Sequence, residues 1–249
     1  MTGQLPRGSR LPSEKELATR FGVSQSSIRE VCRALEAQGL IDIRHGSGQY
    51  VSGDSMHMLT GSLHAIAQLD DVNVLDVMDL RLVLGRHSIA LAVENATEAD
   101  LAALRAANDE IVAAAHEGGP YTGTAEQAVR FQLALSAASH HPLLVAVEGV
   151  LARLVIHIHE LVLSLREVDP RWHDWSARFE PDRRALLAAL ERRDRTSCIA
   201  AIERYLGDQT RAFRDVPELA GTRLSDPGLM DRIAARLAPG ARSAAIDWG

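Results

Sequence analysis

Two cysteines in 249 residues are too few for a disulfide framework. Cys32 and Cys198 are far apart in sequence, each inside a helical pattern, and read as buried thiols of a reducing compartment. No apolar run approaches the roughly 18 residues of a membrane span, and the N-terminus has no signal-peptide apolar stretch. The expected location is therefore the cytoplasm, with no membrane partner. The sequence shows no internal repeat or low-complexity tract, and its second half has no alternating β pattern. Catalytic signatures are also missing. No Ser-His-Asp arrangement, phosphate-binding glycine loop or metal-ligand spacing stands out. Histidines do not alter this: His157 and His159, two apart, would face apart on a helix and cannot share an ion. His140 and His141, just before Pro142, read as a helix terminator or cap.

The length accommodates two domains, each with its own core, and 46% hydrophobic content is ordinary for a globular chain. Charge is unevenly spread. Residues 1–53 carry seven Lys and Arg against five Asp and Glu, a net of +2, while the whole chain is at −6, which leaves −8 on residues 54–249. Only the N-terminal part tolerates a polyanion; the remainder would be repelled by one.

The most organised stretch is Leu11–Val51. Ser13 with Glu16 forms a capping box, Leu17, Ala18 and Phe21 make an apolar stripe, and Gly22 stops the first helix. Val23 packs under the turn. Ser24 caps a second helix that runs to about Gln38 and ends at Gly39. On that helix Ile28, Val31, Cys32 and Leu35 share one face, and Gln25, Arg29 and Arg33, with Ser26 beside them, share the other. Gln, Ser and Arg can donate to phosphates and base edges; Arg can fork onto guanine and Gln can pair with adenine. Leu40–Arg44 is a strand, His45-Gly46-Ser47-Gly48 a turn, and Gln49–Val51 returns. Two helices, a tight turn and a hairpin make a winged helix-turn-helix, which sets one helix in the major groove of DNA.

LPSEKELATRFGVSQSSIREVCRALEAQGLI followed by HGSGQYV resembles the DNA-binding domain of GntR-type transcription regulators. The resemblance implies DNA contacts from Lys15, Ser24, Gln25, Ser26, Ser27, Arg29, His45 and Gly46. Lys15 and Gln25 stand where Arg is common in the family; Lys has no bidentate fork, so the operator is expected to differ from the family's usual one. The family also carries a further helix before the LPSE stretch. Residues 1–10 hold at most its end, so either the start lies upstream or the domain is trimmed, and the Leu17/Phe21/Ile28/Leu35 core loses part of its cover.

Beyond a hinge at Ser52–Ser55 the pattern is helical throughout: 55–69, 74–94, a helix capped by Thr97 and Asp100 to about 116, 125–139, the nearly all-apolar 143–166, 177–192 and 196–214. Residues 118–123 and 170–175 read as loops. A last candidate helix begins at Asp226-Pro227, as a frayed tail or a strap onto the bundle or a partner. LDVMDLRLVL with NATEADL, RFQLALSAASHHPLL and RRALLAALERRD resemble segments of the FadR-type FCD effector domain. Many such domains hold a divalent metal through Asp and His four apart on one helix and His on two later helices. The corresponding positions are Ala128, Gln132, Arg183 and Tyr205, none an ordinary ligand, so neither metal nor cofactor is expected. Arg183 could instead supply the positive charge directly, in a pocket that holds a small anionic effector between Arg81, Arg183, Tyr205 and Gln132. The alternative is that Arg183 turns to solvent or pairs with Glu180.

The expected fold is mainly α: an N-terminal winged helix-turn-helix, residues 1–53, joined to an all-α bundle for effector binding and dimerisation, residues 54–215, with a tail at 216–249. The expected function is ligand-responsive transcription regulation, as a homodimer on near-palindromic double-stranded DNA and as a repressor that an anionic metabolite releases. Two rivals are a helical enzyme or metal-dependent domain fused to a DNA-binding module and an effector-independent DNA binder. The latter would bind with little sequence preference and steep salt dependence.

Overall fold

A computed structural model describes residues 5, 6, 8–37, 39–44, 47–51, 59, 62, 63, 65, 66, 69–117, 121–165, 178–226, 228, 229 and 232. The chain divides into two compact units, Met1–Leu63 and His64–Gly249.

The first unit holds α1 (Glu14–Phe21), α2 (Gln25–Ala37) and a hairpin of β1 (Ile41–Arg44) and β2 (Gly48–Val51). The capping box is present: Glu16 N–H donates to Ser13 Oγ, and Ser13 N–H donates to Glu16 Oε2 at 2.7 Å. Gly22, at φ 68°, ends α1 in the left-handed region where a side chain would be strained. The strands are antiparallel, with Ile41 opposite Val51 and Arg44 opposite Gly48. Residues 8–11 do not close a helix. They run along the free edge of β2, with Leu11 N–H donating to Gln49 O and Val51 N–H to Ser9 O. The core is small: Ile28, Cys32 and Ile41 are buried, with Leu11, Leu17, Ala18, Leu35 and Ile43 against them. Cys32 Sγ donates to Gln49 Oε1 and ties α2 to the wing.

Three apolar side chains depart from the expected core. Phe21 is 65% exposed, Val23 47% and Val31 54%. At about 100° per residue, Val31 stands roughly 60° round the helix from Ile28, on the rim of the stripe that α1 and the hairpin cover.

The second unit is a bundle of α3 (Val74–Asn95), α4 (Glu98–Glu117), α5 (Tyr121–Ala137), α6 (Pro142–Leu165), α7 (Glu180–Glu191) and α8 (Arg195–Arg214), followed by the short α9 (Pro217–Ala220). Local chemistry sets the starts. Asn73 and Asp76 box α3, Thr97 and Asp100 box α4, and Asp194 accepts from Ser197 N–H at the head of α8. His141 Nδ1 accepts from Leu144 N–H to cap α6, and His140, at φ 53°, turns the chain out of α5. Helix α5 starts at Tyr121, so 121–123 is helical rather than loop. Among positions 55–69, those described at 59, 62, 63, 65, 66 and 69 are helical. The hinge at 52–55, the Gly118–Pro120 turn and the 170–175 interruption lie outside the described residues.

Leu104, Ile111, Phe131, Leu186, Leu190 and Ile202 are fully buried at the centre of the bundle. The segment Pro142–Val162 is, by length and composition, apolar enough to cross a membrane, with a mean hydropathy of 1.6. This corrects the expectation that no run approaches that length; isolated charges at Glu148, Arg153 and Glu160 hide it from a simple run count. Its apolar surface goes into the bundle, where Leu151, Leu154, Val155 and Ile158 are buried. The start of the tail straps onto the bundle. Val74 N–H donates to Thr222 O, Leu224 N–H donates to Val72 O, and Leu219 and Leu224 are fully buried. Asp226 Oδ1 accepts from Gly228 and Leu229 N–H, as a helix cap would.

Asp100 links the start of α4 to the α5–α6 corner, since His140 Nε2 lies 2.8 Å from its carboxylate. Burial works to raise its pKa, but bonds from Thr97 and His140 outweigh that and hold it at about 2, below the ordinary 3.8. A depressed carboxyl contributes stability above the unfolded pKa that is lost as pH falls through the folded one. Chemical denaturation from pH 4 to 2 should therefore show Asp100→Asn losing about 2 kcal/mol less stability over that window than the parent. Parallel profiles would refute the assignment.

Candidate nucleic-acid interface and ligand cavity

Ser24 stands just before α2, and Gln25, Ser26, Ser27 and Arg29 are four of its first five residues; all five side chains named are exposed, while Ile28 between them is buried. Ser24 Oγ accepts from Ser27 N–H at 3.1 Å and lies 2.7 Å from Ser26 Oγ and 2.9 Å from Ser27 Oγ. This knot fixes the helix start and leaves a small hydroxyl surface with few conformers. Lys15 is exposed on α1. The Arg29 guanidinium reaches back to α1, donating from Nε at 3.1 Å and from Nη2 at 3.0 Å to Glu14 Oε2. An exposed pair of this kind is weak, so Glu14 can hold Arg29 ready without preventing exchange for a base edge or phosphate. Arg33, one turn on, is exposed. His45 and Gly46, the expected wing-tip contacts, lie outside the described residues. On the wing, Arg44 stacks over Tyr50 with its guanidinium carbon 4.6 Å from the ring centroid. The sequence reading did not single Arg44 out; its signal was a basic residue next to the turn.

In the bundle, Ala128 and Gln132 from α5, Arg183 from α7 and Tyr205 from α8 all line one cavity of about 40 Å³, with His159 of α6 and Phe179. Arg183 is 3% exposed and its Nε donates to Asn108 Oδ1 at 2.9 Å. It neither turns to solvent nor takes Glu180. Spacing explains this: Arg184, four residues after Glu180, makes that ion pair on the outer face. Gln132 Nε2 donates to Tyr205 Oη at 3.0 Å, and the Tyr205 ring sits edge-on to Phe131 and Phe179. Burial pushes His159 down to about 3, so its imidazole is neutral.

Arg81 does not line this cavity. It lines a second one of about 20 Å³ with Ser88 of α3, Glu148 of α6 and Gln132, which belongs to both walls. The separation arises because Arg81 projects from α3, against α8, while Arg183 projects from α7, and Gln132, held by Tyr205, stands between the cavities. Gly85 lets α3 approach α8 here: a Cβ at that position would meet Leu206 Cδ1 at 2.7 Å. Asn108, Ser88 and Glu148 were not singled out from the sequence. Glu148 is a lone polar residue in an apolar helical stretch, which was the available signal; Asn108 and Ser88 stand next to other polar residues and gave none.

The donor set does not suit a metal. Ala, Gln, Arg and Tyr at the four converging positions offer no carboxylate, thiolate or imidazole, and the guanidinium repels a cation. Among the described residues, no group of three or more His, Cys, Asp or Glu is placed to hold a metal ion. The arrangement can instead present a buried positive charge, a phenol and an amide to an anion.

Residues 1–51 match the family profile of bacterial regulatory proteins, gntR family, and residues 76–208 match that of the FCD domain. The chain is 31% identical over 172 residues to the HTH-type transcriptional regulator LutR of Bacillus subtilis, covering 68% of this chain and 74% of that protein. It is 26% identical over 211 residues to the Uxu operon transcriptional regulator of Escherichia coli, covering 80% of this chain and 76% of that protein. Among solved structures, a GntR protein of Streptococcus agalactiae superposes with a TM-score of 0.62 at 23% identity, covering 84% of this chain and 92% of that one, and shows the same fold. The two profiles fall on the two units built above, the winged helix-turn-helix and the helical bundle. The chain belongs to the GntR family of DNA-binding transcriptional regulators, with an FCD domain for its effector, and is not an enzyme.

Proposed function

We propose that the protein is a cytoplasmic homodimeric repressor whose effector is a small carboxylate held without a metal. Two copies would place their α2 helices in successive major grooves of a near-palindromic operator, about one helical turn apart. Lys15, Ser24, Gln25, Ser26, Ser27 and Arg29 carry the DNA contacts in this reading, with His45 and Gly46 from the wing tip. A dimer seated there blocks transcription, and release follows when the effector favours an arrangement of the DNA-binding units that no longer fits two half-sites. The effector must bind the two arrangements with different affinity.

The observation that carries the effector half is the buried Arg183 on a cavity wall beside Tyr205 and Gln132, at positions where a metal-holding domain would have ligands. A guanidinium forks onto carboxylate and needs no metal to do so. The cavity of about 40 Å³ has room for only two or three waters. Seating a metabolite therefore forces side chains or helices apart, which is the differential binding that release requires.

Two substitutions separate the halves. With an operator obtained by binding-site selection, Arg29→Ala should weaken specific binding roughly 10- to 100-fold and leave non-specific binding and the dimer unchanged. Retained specificity would contradict the groove assignment. A screen of small carboxylates for operator release should give a hit whose affinity falls at least about 10-fold in Arg183→Ala, with the variant's folding verified by circular dichroism. Undiminished release by that variant would remove Arg183 from the site.

A further inference from the structure

The outward face of the wing carries two arginines that are not among the DNA contacts proposed above. Residues 8–11 extend the wing along β2, with Arg10 directly opposite Tyr50. On the other edge of β2, Arg44 stands opposite Gly48 and Asp42 opposite Tyr50. Residues opposite one another, and residues two apart on a strand, share a face of a sheet. Arg10, Tyr50, Asp42, Arg44 and Gly48 are therefore on one face. Ile41 and Gln49 lie on the other, where Cys32 of α2 donates to Gln49. The wing buries that inner face against α2 and leaves Arg10 and Arg44 exposed on the outer one.

Both guanidiniums are drawn toward the turn. Tyr50 Oη lies 2.8 Å from Ser47 Oγ and 3.2 Å from Ser47 O, which pins the ring beside the turn, and Arg44 lies over that ring. Arg10 comes in from the opposite edge and lies across Gly48: a Cβ there would meet its Nε at 3.1 Å and its Nη2 at 3.3 Å. Gly48 also has φ 112°, which a side chain would strain. Among the described residues neither arginine has a carboxylate within ion-pair distance. Glu16 feels the charge of Arg10, but its Oε2 is held by Ser13. Asp42 stands one pair further from the turn than Arg44. Exposed arginines of the bundle are treated differently: Arg86 pairs with Glu203, Arg105 with Glu191 and Arg195 with Glu94. Two like charges gathered at one end of a small sheet repel each other, and an anion from outside the chain relieves that repulsion. The adjoining turn holds His45 and Gly46, so the anion at hand is the DNA backbone.

We propose that Arg10 and Arg44 form a phosphate clamp on the outer face of the wing, gripping the DNA backbone beside the groove that the wing tip enters. Each guanidinium forks onto one phosphate. The clamp reads no bases; it fixes the register of the wing and adds affinity for any duplex. It deepens the DNA contacts proposed above and rests on that docking.

The test is the salt dependence of DNA binding by the full-length protein, on the selected operator and on a random duplex. Arg10→Gln and Arg44→Gln should each flatten the slope of log Kd against log salt by about 0.9 on both duplexes, and the double variant by about 1.8. The preference for operator over random duplex should stay within about 2-fold of the parent's. Arg10→Lys and Arg44→Lys should restore the slope, because an ammonium still neutralises a phosphate. Arg20→Gln removes an exposed charge of α1 outside the proposed contacts and should leave the slope unchanged. Slopes unaltered in both wing variants, or flattened as much by Arg20→Gln, would overturn the clamp and leave the docking of α2 standing. A flattened slope that lysine does not restore would also overturn it, as a loss of wing structure rather than of charge. If Arg29→Ala keeps its specificity, the docking itself fails and takes the clamp with it.

Discussion

A guanidinium buried inside a helical bundle constrains everything around it. Removing such a charge from water costs several kcal/mol, so its neighbours must be acceptors or must leave space for one. Arg183 donates to Asn108 and lines a cavity. The rest of the bundle is arranged to make this tolerable. Phe131 and Phe179 brace the Tyr205 ring, Tyr205 accepts from Gln132, and the helices behind them are closed by Ile111, Leu186 and Ile202. A mobile wall would let water fill the site and weaken the charge; a packed wall keeps it strong. In the effector reading proposed above, this amounts to a change of chemistry, with a covalently anchored cation in place of a coordinated ion.

The DNA-binding unit has the opposite character. Among the described residues its buried core is three side chains with a ring of part-buried ones, and it relies on local devices: a capping box, a glycine stop, a serine knot and a two-stranded hairpin. Economy of this kind suits a module that must present an exposed polar helix rather than bury it. Arg29 leaning on Glu14 shows how the surface is kept in order without DNA, since a rigid fork loses less freedom when it is transferred to a base or phosphate.

Much of this was legible in the sequence because the signals were local. Ser13 with Glu16, Thr97 with Asp100 and Gly22 as a stop depend on neighbours within four residues, and the structure has them as read. Inward helical positions such as Arg183 followed from matching segments to a known domain, whose helical register carries over even where its ligands do not. What failed to read was non-local. Nothing in the sequence says that Gln132 stands between two cavities, that Ser88 and Glu148 share one with Arg81, or that Asn108 reaches Arg183 across 75 positions. Val31 and Phe21 read as core because an apolar stripe does not reveal how wide a partner covers it.

The central claim is that the effector site draws its charge from the protein chain. The most direct measurement is carboxylate titration of metal-stripped protein in excess EDTA, repeated after adding zinc, nickel or manganese. The account predicts the same affinity, within about 2-fold, in EDTA and after each metal. Binding that disappears in EDTA and returns with one of these ions would contradict it.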